Sequence, residues 1–157
     1  MGHNPNLVTW SSTYSVGIKL IDDQHMELLN LVNDMYNHVN NDNEEAEHAY
    51  FQEIIKKVID YVKIHFATEE KIMKGTKFQG YAGHKRVHDS FIMSVIDIIK
   101  KYDEGKRVTL IYFTNFIKDW ILTHIAIMDK QYFEYLMRIV SRKHNGELSV
   151  NERAIAC

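Results

Sequence analysis

The sequence predicts an all-α fold, an antiparallel up-down-up-down four-helix bundle that follows a non-helical amino-terminal arm. Its 157 residues include only seven glycines and one proline, so long stretches lack helix breakers. Within these stretches apolar residues recur at spacings of three and four, the period of amphipathic helices. Four such stretches are joined by connections of about 5 to 8 residues, which favour antiparallel neighbours.

The predicted elements follow in order along the chain. Residues 1–21 form the arm, and the first helix follows Asp22, the predicted N-cap. The second helix runs from about Glu47 to Lys74, and Gly75 is expected to stop it. The third carries the apolar residues between 87 and 102 and ends at 103–105, and the fourth runs from about 109 to 142. We therefore expect a single domain with an arm at 1–21, a bundle at 22–142 and a polar tail at 143–157.

Composition and charge exclude several classes of protein. The chain has 19 Lys and Arg against 21 Asp and Glu, for a net charge of −2, whereas phosphate-neutralising nucleic-acid binders show a basic excess. The only cysteine is Cys157, so no internal disulfide can form. No secretory signal and no apolar run of 18 or more residues is present. We expect a cytoplasmic protein without a membrane span, and a monomer.

The histidines are the most informative residues. Nine are present, and five of them lie on the apolar faces of the four predicted helices. Glu69 follows one of these histidines by four residues, which places both on the same side of the second helix. The predicted inward-facing set is His25, His65, Glu69, His84, His88 and His124.

A metal centre explains this set better than a polar core does. Each unpaired polar group in a protein interior costs roughly 1 to 3 kcal/mol. Imidazole and carboxylate donors together suit Fe, Zn, Cu or Ni, and about seven ligand atoms, counting both carboxylate oxygens, exceed what one tetrahedral or octahedral ion can use. The sequence therefore indicates a pair of metal ions inside the bundle.

At this point the chain resembles a known family. The motifs are His25 within Ile21–Leu28, His65-Phe66-Ala67-Thr68-Glu69-Glu70, His84-x3-His88-x2-Phe91, and Trp120-x3-His124-x4-Asp129-x2-Tyr132. In this order and spacing they look like the full hemerythrin pattern, which covers about residues 8–135, and the variant most resembles single-domain bacterial hemerythrins. The tail after about Arg142 is longer than in the oxygen carriers of marine worms.

The resemblance implies a non-haem di-iron centre. His84, His88 and His124 would hold one iron, His25 and His65 the other, and Glu69 and Asp129 would bridge the two ions together with an oxo or hydroxo group. The iron held by two histidines would keep one open position. The implied dioxygen pocket consists of Leu28, Phe66, Trp120, Ile121 and Ile125, and Gln24 and Tyr132 are implied hydrogen-bond donors behind the ligands.

Asp129 tests this assignment. It follows His124 by five residues, roughly 140° around a regular α-helix and away from the ligand face. We therefore predict that the fourth helix widens locally between residues 124 and 129, as π-turns do at functional sites.

The implied function is reversible dioxygen binding for carriage, storage or delivery, by a protein that is not an enzyme, with an electron donor or an oxidase as a possible partner. One alternative is a di-iron oxidase or peroxidase. The chain has a single Glu-x-x-His triplet, Glu45 to His48, where ferritin-like enzymes have two. Two further alternatives are an oxygen or redox sensor and a structural bundle that holds zinc.

Overall fold

The computed structural model describes residues 6–39, 44–106 and 108–144, and within these ranges the regular structure is helical. The helices are a short 3-10 helix at Ser12–Tyr14, α1 at Lys19–His38, α2 at Glu44–Gly75, α3 at Tyr81–Asp103, α4 at Leu110–Thr123, a π-helix at His124–Asp129 and α5 at Lys130–His144. Because α4, the π-helix and α5 follow one another without a gap, they form one long rod. The predicted four-helix bundle is confirmed.

Packing between the four long helices follows the chain order. Helix α1 lies against both α2 and α4, and α2 lies against α3, as in an antiparallel up-down bundle. The 3-10 helix of the arm packs beside the π-helix. The arm is also tied to α1, since Asn33 accepts from the backbone N–H of Val8 at 2.9 Å and donates to its carbonyl at 2.8 Å.

The predicted start of the first helix was wrong. Helix α1 begins at Lys19, with Ile18 as its N-cap, so Asp22 lies inside the first turn. From there its carboxylate accepts hydrogen bonds from Ser15 Oγ at 2.6 Å and from Val16 N at 2.7 Å. Asp22 thus fixes the entry of the chain rather than capping the helix from outside.

The other predicted boundaries differ by a few residues. Helix α2 begins three residues earlier than expected and includes Gly75, and the left-handed backbone conformation falls instead on Lys77, with a φ of 52°. Helix α3 ends at Asp103 and the chain turns at Gly105, which has a φ of 73°. The last rod continues to His144, and residues 145–157 of the predicted tail lie outside the described ranges.

Two hydrophobic clusters fill the bundle. The larger includes Val32, Phe51, Phe91 and Phe113, and the smaller consists of Val16, Ile21, Met73, Tyr132 and Phe133. In each of the four long helices, the histidines and carboxylates occur where the helix passes from one cluster to the other. We call these residues the polar layer: His25, His65, Glu69, His84, His88, His124 and Asp129.

Within the ranges that the structure describes, no helix combines the length and the apolar character needed to span a membrane.

Candidate metal centre

The polar layer brings together all seven side chains that the sequence predicts as ligands. Each is at most 3% exposed. Helix α1 supplies His25, α2 supplies His65 and Glu69, α3 supplies His84 and His88, and the π-helix supplies His124 and Asp129. The spacing of four residues between the paired ligands of α2 and of α3 puts each pair on one helix face.

The donor atoms form two groups, each with all its atoms within 4.8 Å of one another. One group consists of Glu69, His84, His88, His124 and Asp129, and the other of His25, His65, Glu69 and Asp129. We call them the three-histidine group and the two-histidine group. Because Glu69 and Asp129 belong to both, the arrangement suits two neighbouring ions joined by two carboxylates.

The carboxylate oxygens divide between the two groups. Oε1 of Glu69 lies 3.8 Å from Nε2 of His65, whereas Oε2 lies 3.4 Å from Nε2 of His88. Oδ2 of Asp129 lies 3.2 Å from Nε2 of His25, whereas Oδ1 lies 3.0 Å from Nε2 of His124. Each carboxylate therefore offers one oxygen to each group.

Spacing within the three-histidine group fits a bound ion. Nε2 of His88 lies 2.9 Å from Nε2 of His124. Two donors on neighbouring corners of an octahedral ion, each about 2.1 Å from it, are about 3 Å apart. The close approach of two imidazole nitrogens is thus the spacing of ligands around a common centre.

Unsatisfied polar atoms support the same fit. Among the described residues, several buried side-chain atoms of the polar layer have no hydrogen-bond partner, and such atoms require explanation in a native protein. They are His25 Nε2, both oxygens of Glu69, His84 Nε2, His124 Nδ1 and both oxygens of Asp129. All except His124 Nδ1 face the space between the ligands, where a cation satisfies them together. The residues present therefore fit a metal centre.

The predicted widening of the fourth helix is confirmed. Residues His124–Asp129 form a π-helix, in which the backbone hydrogen bonds span five residues instead of four. Asp129 is fully buried as a result. A single inserted residue per turn thus returns a carboxylate at i+5 to the side occupied by His124.

Charges within the polar layer shift its pKa values in opposite directions. Burial, reinforced by Asp129, raises the pKa of Glu69 to about 7. Burial alone would raise the pKa of Asp129 too, but its contacts with His124, His25 and His84 outweigh burial and hold it well below its usual range. Burial would lower the pKa of His84, yet its contacts with Asp129 and Glu69 prevail and raise it to about 9.

Two imidazoles lie in the opposite situation. Burial, together with the neighbouring His25, lowers the pKa of His65 to about 3. Burial, together with His124, lowers the pKa of His88 to about 2. These two rings are therefore neutral at physiological pH, which is the state that binds a metal.

Outer partners orient three of the imidazoles. Nδ1 of His25 lies 3.3 Å from the carbonyl oxygen of Tyr14, Nδ1 of His65 lies 3.1 Å from Oε1 of Gln24, and Nδ1 of His88 lies 3.3 Å from Oε1 of Glu70. Each partner is an oxygen that accepts, so Nδ1 carries the proton. Nε2 is then left with its lone pair directed into the site, as in other histidine–metal centres.

The two predicted outer donors differ from expectation. Gln24 lies behind His65, but its side-chain oxygen accepts from the ring, while its amide Nε2 donates to Thr68 Oγ1 at 3.5 Å. Tyr132 is fully buried, and its hydroxyl lies 3.4 Å from Oγ1 of Thr76 instead of reaching a ligand. Gln24 thus lies behind a ligand as predicted but accepts instead of donating, because Nδ1 of His65 carries the proton. Tyr132 has a different partner, because Thr76 is the side chain within reach of its hydroxyl.

Apolar residues cover the side of the polar layer that faces the larger cluster. Leu28, Phe66, Ile121 and Ile125 are buried, and Trp120 is partly buried against the same cluster. The ring of Phe66 stacks on His88 with centroids 3.7 Å apart, and the ring of Trp120 stacks on His124 at 4.3 Å. The five residues predicted as a dioxygen pocket therefore belong to one wall, and two of them touch ligand rings.

Two outer partners were missed from the sequence. Glu70 stands in a quoted motif, but nothing in the spacing along α2 indicates its contact with a histidine of α3. The partner of His25 is the backbone carbonyl of Tyr14, which any residue at that position offers. Only the packing of the arm identifies it.

Comparisons with known proteins agree with this geometry. Residues 16–136 match the family model described as the hemerythrin HHE cation binding domain. The bacteriohemerythrin of Stenotrophomonas maltophilia is 31% identical over 126 residues, covering 80% of this chain and 79% of that protein. The bacteriohemerythrin of Methylococcus capsulatus is 29% identical over 127 residues, covering 80% of this chain and 94% of that protein.

Solved structures show the same likeness. A crystal structure of wild-type hemerythrin superposes with a TM-score of 0.72 and 29% sequence identity, covering 82% of this chain and 96% of that one.

Proposed function

Since the chain belongs to the hemerythrin family, we propose that it binds dioxygen reversibly at a di-iron centre formed by the polar layer. The observation that carries this proposal is the pair of donor groups that share Glu69 and Asp129. Two ferrous ions bound there would supply the electrons needed for dioxygen to bind. The proposed role is carriage, storage or delivery, not catalysis.

The unequal size of the two groups supports an open position. The three-histidine group has five protein donors, and the two-histidine group has four. If the two ions also shared a hydroxide, five protein donors would complete six-fold coordination in the first group, whereas four would leave one position open in the second. We propose that dioxygen binds beside His25 and His65.

The chain's own residues favour binding over further chemistry. Phe66 is buried with its ring against His65 and His88, and Ile121 and Ile125 are buried in the same hydrophobic cluster, where they help to exclude water. This wall offers no acid or base to the bound gas, because its side chains are apolar or, in Trp120, hold only an indole N–H. The wall therefore contributes no titratable side chain to the site.

The test is the visible spectrum of the iron-loaded protein, reduced anaerobically, then exposed to air, then degassed. We expect two irons per chain and an absorption band that appears with air and disappears on degassing. A band that bleaches irreversibly, or steady consumption of a reductant with dioxygen or peroxide, would contradict the carrier role.

Two histidine variants on one helix provide a matched control. His65→Ala removes a donor of the two-histidine group, and we expect it to lower the iron content and abolish the reversible band. His48→Ala removes an exposed histidine of the same helix that contacts Tyr102 and Gln52. This second variant is expected to retain both irons and the band.

The proposal includes a cytoplasmic location, supported by the lack of cysteine pairs. It also includes a monomeric protein that receives electrons from a separate donor or passes dioxygen to an oxidase.

A further inference from the structure

The three outer partners of the imidazoles differ in charge. His25 faces a backbone carbonyl and His65 faces the amide oxygen of Gln24, and both of these acceptors are neutral. His88 instead faces the carboxylate of Glu70, whose side chain is 16% exposed. An anion thus lies behind one ligand of the three-histidine group, whereas the two-histidine group has only neutral partners behind its rings.

We propose that Glu70 is a positioning residue that acts through His88 and lowers the reduction potential of the ion held by the three-histidine group. A carboxylate that accepts from Nδ1–H makes the imidazole a stronger donor at Nε2. The stronger donor stabilises the more highly charged, oxidised ion. This inference rests on the proposed di-iron centre.

The surroundings of His88 allow Glu70 to act in this way. The ring is held on its face by Phe66, at 3.7 Å and nearly parallel, and its Nε2 points toward Oε2 of Glu69 at 3.4 Å. Its Nδ1 is therefore the free edge on which Glu70 acts. Among the described residues no lysine or arginine pairs with Glu70, because the nearby Lys85 binds Asp89 at 2.6 Å. Lys85 also interacts electrostatically with Glu70, but the group that its carboxylate contacts directly is the imidazole, at 3.3 Å.

The same molecule contains the neutral equivalent of this contact. Gln24 shows that a glutamine oxygen can accept from a ligand imidazole here. Glu70→Gln should therefore keep the hydrogen bond and remove the charge, whereas Glu70→Ala removes both. Gln24→Glu makes the reverse change and adds an anion behind His65.

The experiment measures the midpoint potential of the iron-loaded full chain by spectroelectrochemical titration. We expect Glu70→Gln to raise the potential by about 59 mV, a tenfold change for a one-electron couple, and Gln24→Glu to lower it by a similar amount. Asp97→Asn is the matched control, because it removes an exposed carboxylate of α3, the helix of His88, that pairs with Lys101. It should leave the potential unchanged.

Binding of Co²⁺ to the metal-free protein separates position from charge. Removal of an outer partner costs about 10 to 100-fold in metal affinity. We expect Glu70→Ala to lose that much and Glu70→Gln to lose less, because the glutamine still orients the ring.

Three outcomes would overturn the inference. Unchanged potential in Glu70→Gln, or an equal shift in Asp97→Asn, would refute it while a normal two-iron spectrum leaves the proposed function intact. An unmodified protein that binds no pair of irons would refute both.

Discussion

Phe66 connects core packing to the ligands at the scale of a single residue. It is 3% exposed, stacks on His88 and meets the edge of Phe91 at a centroid distance of 5.9 Å. Its ring therefore fills the larger hydrophobic cluster and also fixes the plane of one imidazole. Substitution here should affect both stability and the metal centre.

We predict that Phe66→Ala lowers the free energy of unfolding by about 3 to 5 kcal/mol, because it leaves a cavity where a buried ring was. It should also speed irreversible oxidation of the iron-loaded protein, since water reaches His88. Urea unfolding and the decay of the reversible absorption band measure the two effects.

Phe51→Ala is the matched control for this prediction. Phe51 is 2% exposed and packs against Tyr102 and Phe113, with no ligand ring among its aromatic neighbours. A similar loss of stability without faster oxidation is expected. If both variants oxidise equally fast, Phe66 has no special role at the ligands.

The sequence predicted the inward-facing residues well but not their partners. Periodicity along one helix shows which side of that helix is buried, and so it indicated the five histidines and Glu69. Contacts such as Glu70 with His88 depend on the register between α2 and α3, which the loop between them sets. No spacing within either helix contains that information.

The arm is an element whose attachment bears on the ligands. Asp22 holds Ser15 and Val16, and the adjoining Tyr14 offers its carbonyl to His25. Lys130 donates to the carbonyl of Thr13 at 3.4 Å, so α5 also holds the arm. The arm thus lies against the metal centre at His25.

Two neighbouring aspartates allow a test of this attachment. Asp22→Ala should lower the free energy of unfolding by about 2 to 3 kcal/mol, since hydrogen bonds to a charged acceptor are lost, and it should weaken iron retention. Asp23→Ala removes only an exposed ion pair with Lys19, which is worth about 0 to 1 kcal/mol. Urea unfolding and iron content after dialysis provide the comparison.

Equal effects of the two aspartate substitutions would contradict a specific role of the arm at His25.

Element boundaries show where prediction from sequence reaches its limit. The π-helix was predicted because a resemblance demanded that Asp129 face His124 and regular geometry did not permit it. The start of α1 was misplaced because an aspartate before an apolar run resembles an N-cap. Only the backbone showed that Asp22 reaches back to residues of the arm.

At the scale of the whole molecule, the polar layer divides the core into two unequal parts. The smaller cluster has five buried hydrophobic residues and lies on the opposite side of the ligands from the larger cluster. Burial raises the pKa of Glu69, and repulsion from the adjacent carboxylate of Asp129 raises it further when no cation lies between them. The metal-free protein should therefore be the less stable form.

We predict that iron increases the free energy of unfolding by about 2.7 kcal/mol when its free concentration is 100 times its dissociation constant. Calorimetry before and after a chelator measures this gain under anaerobic conditions. His84→Ala removes a donor of the three-histidine group and should show a much smaller gain. An equal gain in that variant would indicate metal bound elsewhere.

The position of the polar layer implies that the supply of iron also affects how long the folded protein survives. Since the ligands come from all four long helices, a filled centre links these helices to one another beside the smaller cluster, and an empty centre lacks that link. Proteases cleave locally unfolded segments, so in the iron-free protein we expect cleavage to begin near Val16 and Phe133. The supply of iron would in this way set the lifetime of the protein in the cell.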